Sequence, residues 1–113
     1  MIVSARRAGE RMPAHTKTDL IAEFENYIKK NGGYSKDYGW YVGVTSDPEA
    51  RLFRQHGVNK SDGAWIYADA SSDHEARQIE IQLLSRGAKG GLGGGDASAS
   101  YIYAYRINWH TEE

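Results

Sequence analysis

The segment Gly39-Trp40-Tyr41-Val42-Gly43-Val44-Thr45, followed at once by Ser46-Asp47-Pro48-Glu49-Ala50-Arg51-Leu52, decides how this chain folds. Its first half is apolar, aromatic and β-branched, and it predicts a short buried strand. Its second half is a helix start. Asp47 is suited to accept from an early helical N–H, Pro48 to occupy the first helical position, and Glu49 to sit at the positive end of the helix dipole. A strand that passes directly into a helix brings Tyr41 and Arg51 close together. The guanidinium of Arg51 is a rigid fork of donors that matches a phosphate, and a Tyr41 hydroxyl beside it is suited to position or deprotonate a water.

The remaining elements are read outward from this pair. Upstream, Thr18 is a suitable cap for a helix whose apolar face is Leu20, Ile21, Phe24, Tyr27 and Ile28, stopped by Asn31-Gly32-Gly33 with Lys29 and Lys30 in its last turn. Residues 1–17 show no apolar periodicity and predict a flexible arm, so residues 18–113 form the single domain. Downstream, the Pro48 helix runs to about His56 and ends at Gly57. Ala64 to Ala68 is a second strand. Ser72-Asp73-His74-Glu75 has the form of a capping box and opens a helix with Ala76, Ile79, Leu83 and Leu84 on one face. Tyr101 to Ile107 is a third strand, with Tyr101, Tyr103, Tyr105, Ile107 and Trp109 sharing one side by the two-residue period. The predicted architecture is α+β: a small antiparallel sheet of about three strands flanked by three helices.

Composition sets bounds. The chain has 113 residues, enough for one modest core. With 14 basic and 15 acidic residues its net charge is −1, so no bulk attraction to nucleic acid is visible and any basic footprint is local. It has no cysteine, which excludes disulfides and thiolate metal sites and is compatible with a cytoplasmic location. No stretch is long and apolar enough to be read as a membrane span or a signal peptide. The four histidines lack zinc-type spacing, no nucleophile elbow frames a serine, and there is neither a heptad nor an internal repeat. The 8 tyrosines and 3 tryptophans suit either wet pockets or plain packing.

Two single residues are open to more than one reading. Glu80 lies within the apolar stripe of its helix, where a carboxylate either escapes at the stripe edge or needs a partner such as an arginine, a metal ion or water. His56 is either a surface charge at a helix end or part of the site. The glycine-rich run Gly87 to Asp96 is either a mobile connector or a cradle for a phosphate.

Tyr41-Val42-Gly43-Val44-Thr45, Ala50-Arg51-Leu52 with His56, and Ala76-Arg77-Gln78-Ile79-Glu80 together resemble the GIY-YIG nuclease superfamily over Trp40 to Leu84. The resemblance implies a metal-dependent endonuclease that hydrolyses phosphodiester bonds. Tyr41 would be a motif tyrosine, Arg51 the phosphate-binding arginine, His56 a neighbour of the centre, and Glu80 the ligand of Mg2+ or Mn2+. DNA is the implied partner, with Lys89 and Arg54 set against its backbone. A helix stands where the superfamily has its first strand, so Tyr101-Ile102-Tyr103 would fill the vacancy in a circularly permuted order. Tyr103 would then stand in for the missing tyrosine; the alternative is that it only packs. The superfamily's proline and asparagine after the glutamate helix are absent here. The second functional reading is a non-catalytic nucleic-acid- or protein-binding module on the same fold.

Overall fold

The computed structural model describes residues 17–34, 39–61, 63–90, 99–108 and 111. Helix α1 spans Lys17–Lys30, strand β1 Trp40–Thr45, a π-helical turn Ala50–Gln55, β2 Trp65–Asp69, α2 Asp73–Ser85 and β3 Tyr101–Arg106. This is the expected α+β arrangement of a three-stranded antiparallel sheet and three helical segments. The arm expected over residues 1–17 lies outside the described residues except for Lys17, which belongs to α1. Trp109 and residues 91–98 of the glycine-rich run also lie outside them.

Strand order is β1-β3-β2, so the last strand in sequence is the centre of the sheet. β3 runs antiparallel to both neighbours, with Tyr41 opposite Tyr105 and Gly43 opposite Tyr103 on one side, and Trp65 opposite Tyr105 and Tyr67 opposite Tyr103 on the other. The adjacency of β3 and β1 expected from the sequence is therefore present. The outer edge of β1 is closed by one short piece of chain: Lys89 donates from its N–H to the Trp40 carbonyl (2.7 Å) and accepts from the Val42 N–H (2.8 Å).

The two-residue period of the strands divides the sheet into two unlike faces. One carries Trp40, Val42, Val44, Ile66, Ala68, Ile102 and Ala104, and is covered by Leu20, Phe24 and Ile28 of α1 and Ala76, Ile79 and Leu83 of α2. These side chains are almost wholly removed from water, and each large one contributes roughly 1.5–3 kcal/mol by the hydrophobic effect. The other face carries Tyr103, Tyr105 and Trp65 and is covered by Leu52, Val58 and Ile107. The aliphatic face holds the fold together, whereas the aromatic face carries hydroxyls.

Local chemistry sets the helix starts. The Asp47 carboxylate accepts from the Ala50 N–H (3.1 Å), and the Asp47 carbonyl accepts from the Arg51 N–H (3.1 Å). The Ser72 hydroxyl accepts from the Glu75 N–H (3.1 Å), as the cap pattern predicts. α1 ends where Gly32 and Gly33 take positive φ (106° and 72°), a region open to glycine, and the Gly33 N–H returns to the Ile28 carbonyl (2.9 Å).

The segment after Asp47 departs from the expected regular helix. Its ladder is of the π type, with the His56 N–H bonded to the Arg51 carbonyl five residues back (2.8 Å). The wider turn lines up residues five apart, so Arg51 and His56 come to the same side, a register that helical periodicity in the sequence does not signal.

Candidate functional site

The site lies on the aromatic face, where the π-helical turn closes over β1 and β3. Tyr103 and Tyr105 are fully buried and His56 nearly so. His56 sits between the two hydroxyls, its Nε2 2.8 Å from Tyr103 Oη and its Nδ1 2.9 Å from Tyr105 Oη. Tyr41, partly exposed, stacks across the group, with ring centroids 4.8 Å from His56, 5.4 Å from Tyr105 and 6.4 Å from Tyr103. Gly43 makes room for this: a Cβ built there would stand 2.5 Å from Tyr103 Oη, so the phenol lies directly against the β1 backbone.

Arg51 lies close enough to Tyr103 for its positive charge to favour the ionised phenol. Its Nε is buried and, among the described residues, has no hydrogen-bond partner. A buried guanidinium N–H without an acceptor is costly in a finished core and is of use where an acceptor arrives from outside. Burial pushes the Tyr103 hydroxyl up to about 12, with Arg51 pulling it down and Tyr41 and Glu80 pushing it further up. At neutral pH Tyr103 is therefore a phenol, which orients and donates and does not act as a base.

The expected residues thus converge in part. Tyr41, Arg51, His56 and Tyr103 form one contact group, and His56 is inside rather than on the surface. Glu80 acts on Tyr103 electrostatically and is only 1% exposed, so the stripe-edge reading of this residue is wrong. Its partner is the arginine one turn earlier, Arg77 Nη1 at 3.4 Å from Oε1. Lys89 and Arg54 are exposed. Tyr105 was not singled out by sequence reasoning. The two-residue period set it on the side of Tyr103, but nothing in the sequence revealed that His56 would bridge them.

Burial raises the Glu80 carboxyl above its ordinary value of 4.5, with Arg77 offsetting this in part. Among the described residues no three His, Cys, Asp or Glu side chains gather as a metal site.

The raised Glu80 carboxyl has a measurable consequence. The folded state holds this proton more tightly than the unfolded chain, so the stabilisation is complete below about the ordinary value of 4.5 and is lost as pH rises through the higher folded value. Glu80→Gln, neutral at every pH, is expected to melt above the wild type at pH 7, with the gap closing as pH falls into the carboxylate range. Thermal melts of both proteins from pH 7 to pH 4 check this. A gap that is independent of pH, or of opposite sign, overturns it.

No protein-family model matches the chain. No solved structure matches it significantly. Among curated proteins, the chain is similar to N-acetyltaurine hydrolase of Homo sapiens and of Pongo abelii, each 30% identical over 78 residues. The match covers 67% of this chain and 22% of each relative, so the chain spans about a fifth of their length. This similarity corrects the functional expectation. The matched relatives are hydrolases of N-acetyltaurine and not nucleases, so neither the metal-dependent endonuclease nor the nucleic-acid- or protein-binding module is retained. Among the described residues, no helix is long and apolar enough to cross a membrane.

Proposed function

We propose that this chain carries hydrolase chemistry directed at a small substrate with an anionic group, centred on Arg51. The observation that carries the reading is the buried Arg51 Nε, a donor with no acceptor among the described residues, beside a tyrosine–histidine cluster. The 30% identity to N-acetyltaurine hydrolase supports the reaction class. The compound in that name joins an amide bond to a sulfonate, so its hydrolysis needs both an anion holder and stabilisation of a developing oxyanion. A guanidinium fork is suited to either task, and a desolvated donor is worth more than one in water. Tyr41, the partly exposed ring of the cluster, forms the wall past which a substrate reaches Arg51.

The scaffold is, in the same proposal, a GIY-YIG-like sheet in altered strand order without the nuclease activity. The Tyr41-Val42-Gly43 strand, Arg51 on the next helical segment and β3 beside β1 support this kinship. The absence of cysteine supports a reducing compartment such as the cytoplasm.

The test is release of acetate from N-acetyltaurine by the purified chain. Release above the uncatalysed background that is lost in Arg51→Ala supports the reading. Background release by the wild type, or equal release by both proteins, overturns it.

A further inference from the structure

The short piece of chain that closes the outer edge of β1 places a cation beside the site. A β-bridge sets its two partner residues level, with their side chains on the same face of the sheet. The bridge here joins Lys89 to Tyr41 in parallel orientation. One row across the aromatic face therefore reads Lys89, Tyr41 on β1, Tyr105 on β3 and Trp65 on β2. The backbone of Lys89 is held from several sides. It is bonded to Trp40 and Val42 of β1, and the Ala88 N–H before it bonds to the Leu83 carbonyl (3.1 Å). Gly90 after it lies so near β1 that a Cβ there would stand 2.5 Å from the Val42 oxygen. The Lys89 side chain is exposed and its stem follows β1, with Cε 4.0 Å from where a Cβ on Gly39 would stand. Among the described residues no carboxylate pairs with the Lys89 ammonium. Tyr41, partly exposed, thus stands between Lys89 on its outer side and His56 and Tyr103 on its inner side.

We propose that Lys89 is a specificity-determining residue of this site: it holds the sulfonate of an N-acylated aminosulfonate at the rim and leaves Arg51 to the reacting amide carbonyl. The inference rests on reading this chain as a hydrolase centred on Arg51. The two cations suit the two tasks differently. A sulfonate spreads its charge over oxygens around a tetrahedral sulfur, so it gains nothing from a planar fork. At a rim it also keeps part of its hydration, which a hydrated ammonium on a flexible stem matches. The developing oxyanion needs a fixed donor out of water, and the buried Nε of Arg51 is such a donor. A small molecule lying along the Tyr41 ring has the ammonium at one end and the guanidinium at the other.

The experiment compares the wild type with Lys89→Met on N-acetyltaurine and on N-acetylethanolamine, a neutral counterpart with a hydroxyl in place of the sulfonate. The wild type is expected to prefer the sulfonate by kcat/KM. Lys89→Met is expected to reduce that preference about tenfold, the low end for a charge-assisted hydrogen bond at an exposed position, and to do so through KM more than kcat. Hydrolysis with the same preference in both proteins overturns the inference and leaves the hydrolase reading standing. A check that needs no variant is ionic strength: a rim charge is screened, so the wild-type KM for N-acetyltaurine is expected to rise with sodium chloride, and a KM indifferent to salt overturns the inference. If the wild type releases no acetate, the hydrolase reading fails and binding decides the inference by itself. N-acetyltaurine is then titrated into both 15N-labelled proteins, and its Kd is read from the amide shifts of Val42 and residue 89. Binding about tenfold weaker in Lys89→Met supports the anion site, whereas equal binding by both proteins, or none by the wild type, overturns it.

Discussion

Gly43→Ala is expected to destabilise the protein by about 1–3 kcal/mol, the usual cost of forcing a methyl group into packed space. The new Cβ would stand 2.5 Å from Tyr103 Oη, 2.6 Å from its Cζ and 2.9 Å from its Cε2. Tyr103 has little freedom to retreat, because it is fully buried, bonded to His56 and stacked with Tyr41. The backbone on which the clash falls belongs to a strand paired residue by residue with β3. Denaturant melts of Gly43→Ala measure the loss. The pair Gly43→Ala with Tyr103→Leu is expected to be less destabilised than the sum of the two single changes, because the second substitution removes the ring that the first one strikes. Strict additivity would mean that Gly43 is required for some reason other than the closeness of this phenol.

The second large effect is on turnover. Arg51→Ala is expected to lower acetate release by roughly 10²–10³-fold, the size of effect seen when a donor aimed at developing negative charge is removed. Stability is expected to change little, since the Arg51 Nε has no internal bond to lose among the described residues. Arg51→Lys is not expected to restore the rate, because an ammonium point charge does not reproduce the planar fork. Initial rates beside melting curves test both halves. An Arg51→Ala protein that has lost several kcal/mol of stability would make Arg51 a structural tie to Tyr103 instead.

Glu80 shows how a sequence signal can identify a residue without naming its partner. Its place in the stripe with Ala76, Ile79 and Leu83 implied burial or escape, and it is buried. Arg77, three residues earlier on the same helix, meets it there. The spacing that resembled a metal-ligand motif holds a local ion pair, and among the described residues no three His, Cys, Asp or Glu side chains gather as a metal site.

Local chemistry was sufficient for the elements. The alternation of β3, the apolar stripes of α1 and α2, and the caps at Asp47 and Ser72 depend on neighbours within a few residues, and these are written in the chain. So was the passage from the strand of Tyr41 straight into the helical turn of Arg51, because the Asp47 cap is local. Only the tertiary structure decided that β3 lies in the middle of the sheet, which brings Tyr103 against Gly43, 60 residues distant in number, and Tyr105 opposite Tyr41. It alone decided the π register that turns His56 inward beside Arg51. The physical reason is that a hydrogen bond between side chains 47 or 49 residues apart, such as those of His56 to Tyr103 and Tyr105, has no local signature. It exists because the sheet packing that excludes water brings these hydroxyls and ring nitrogens together, and a buried polar group is stable only when it is hydrogen-bonded.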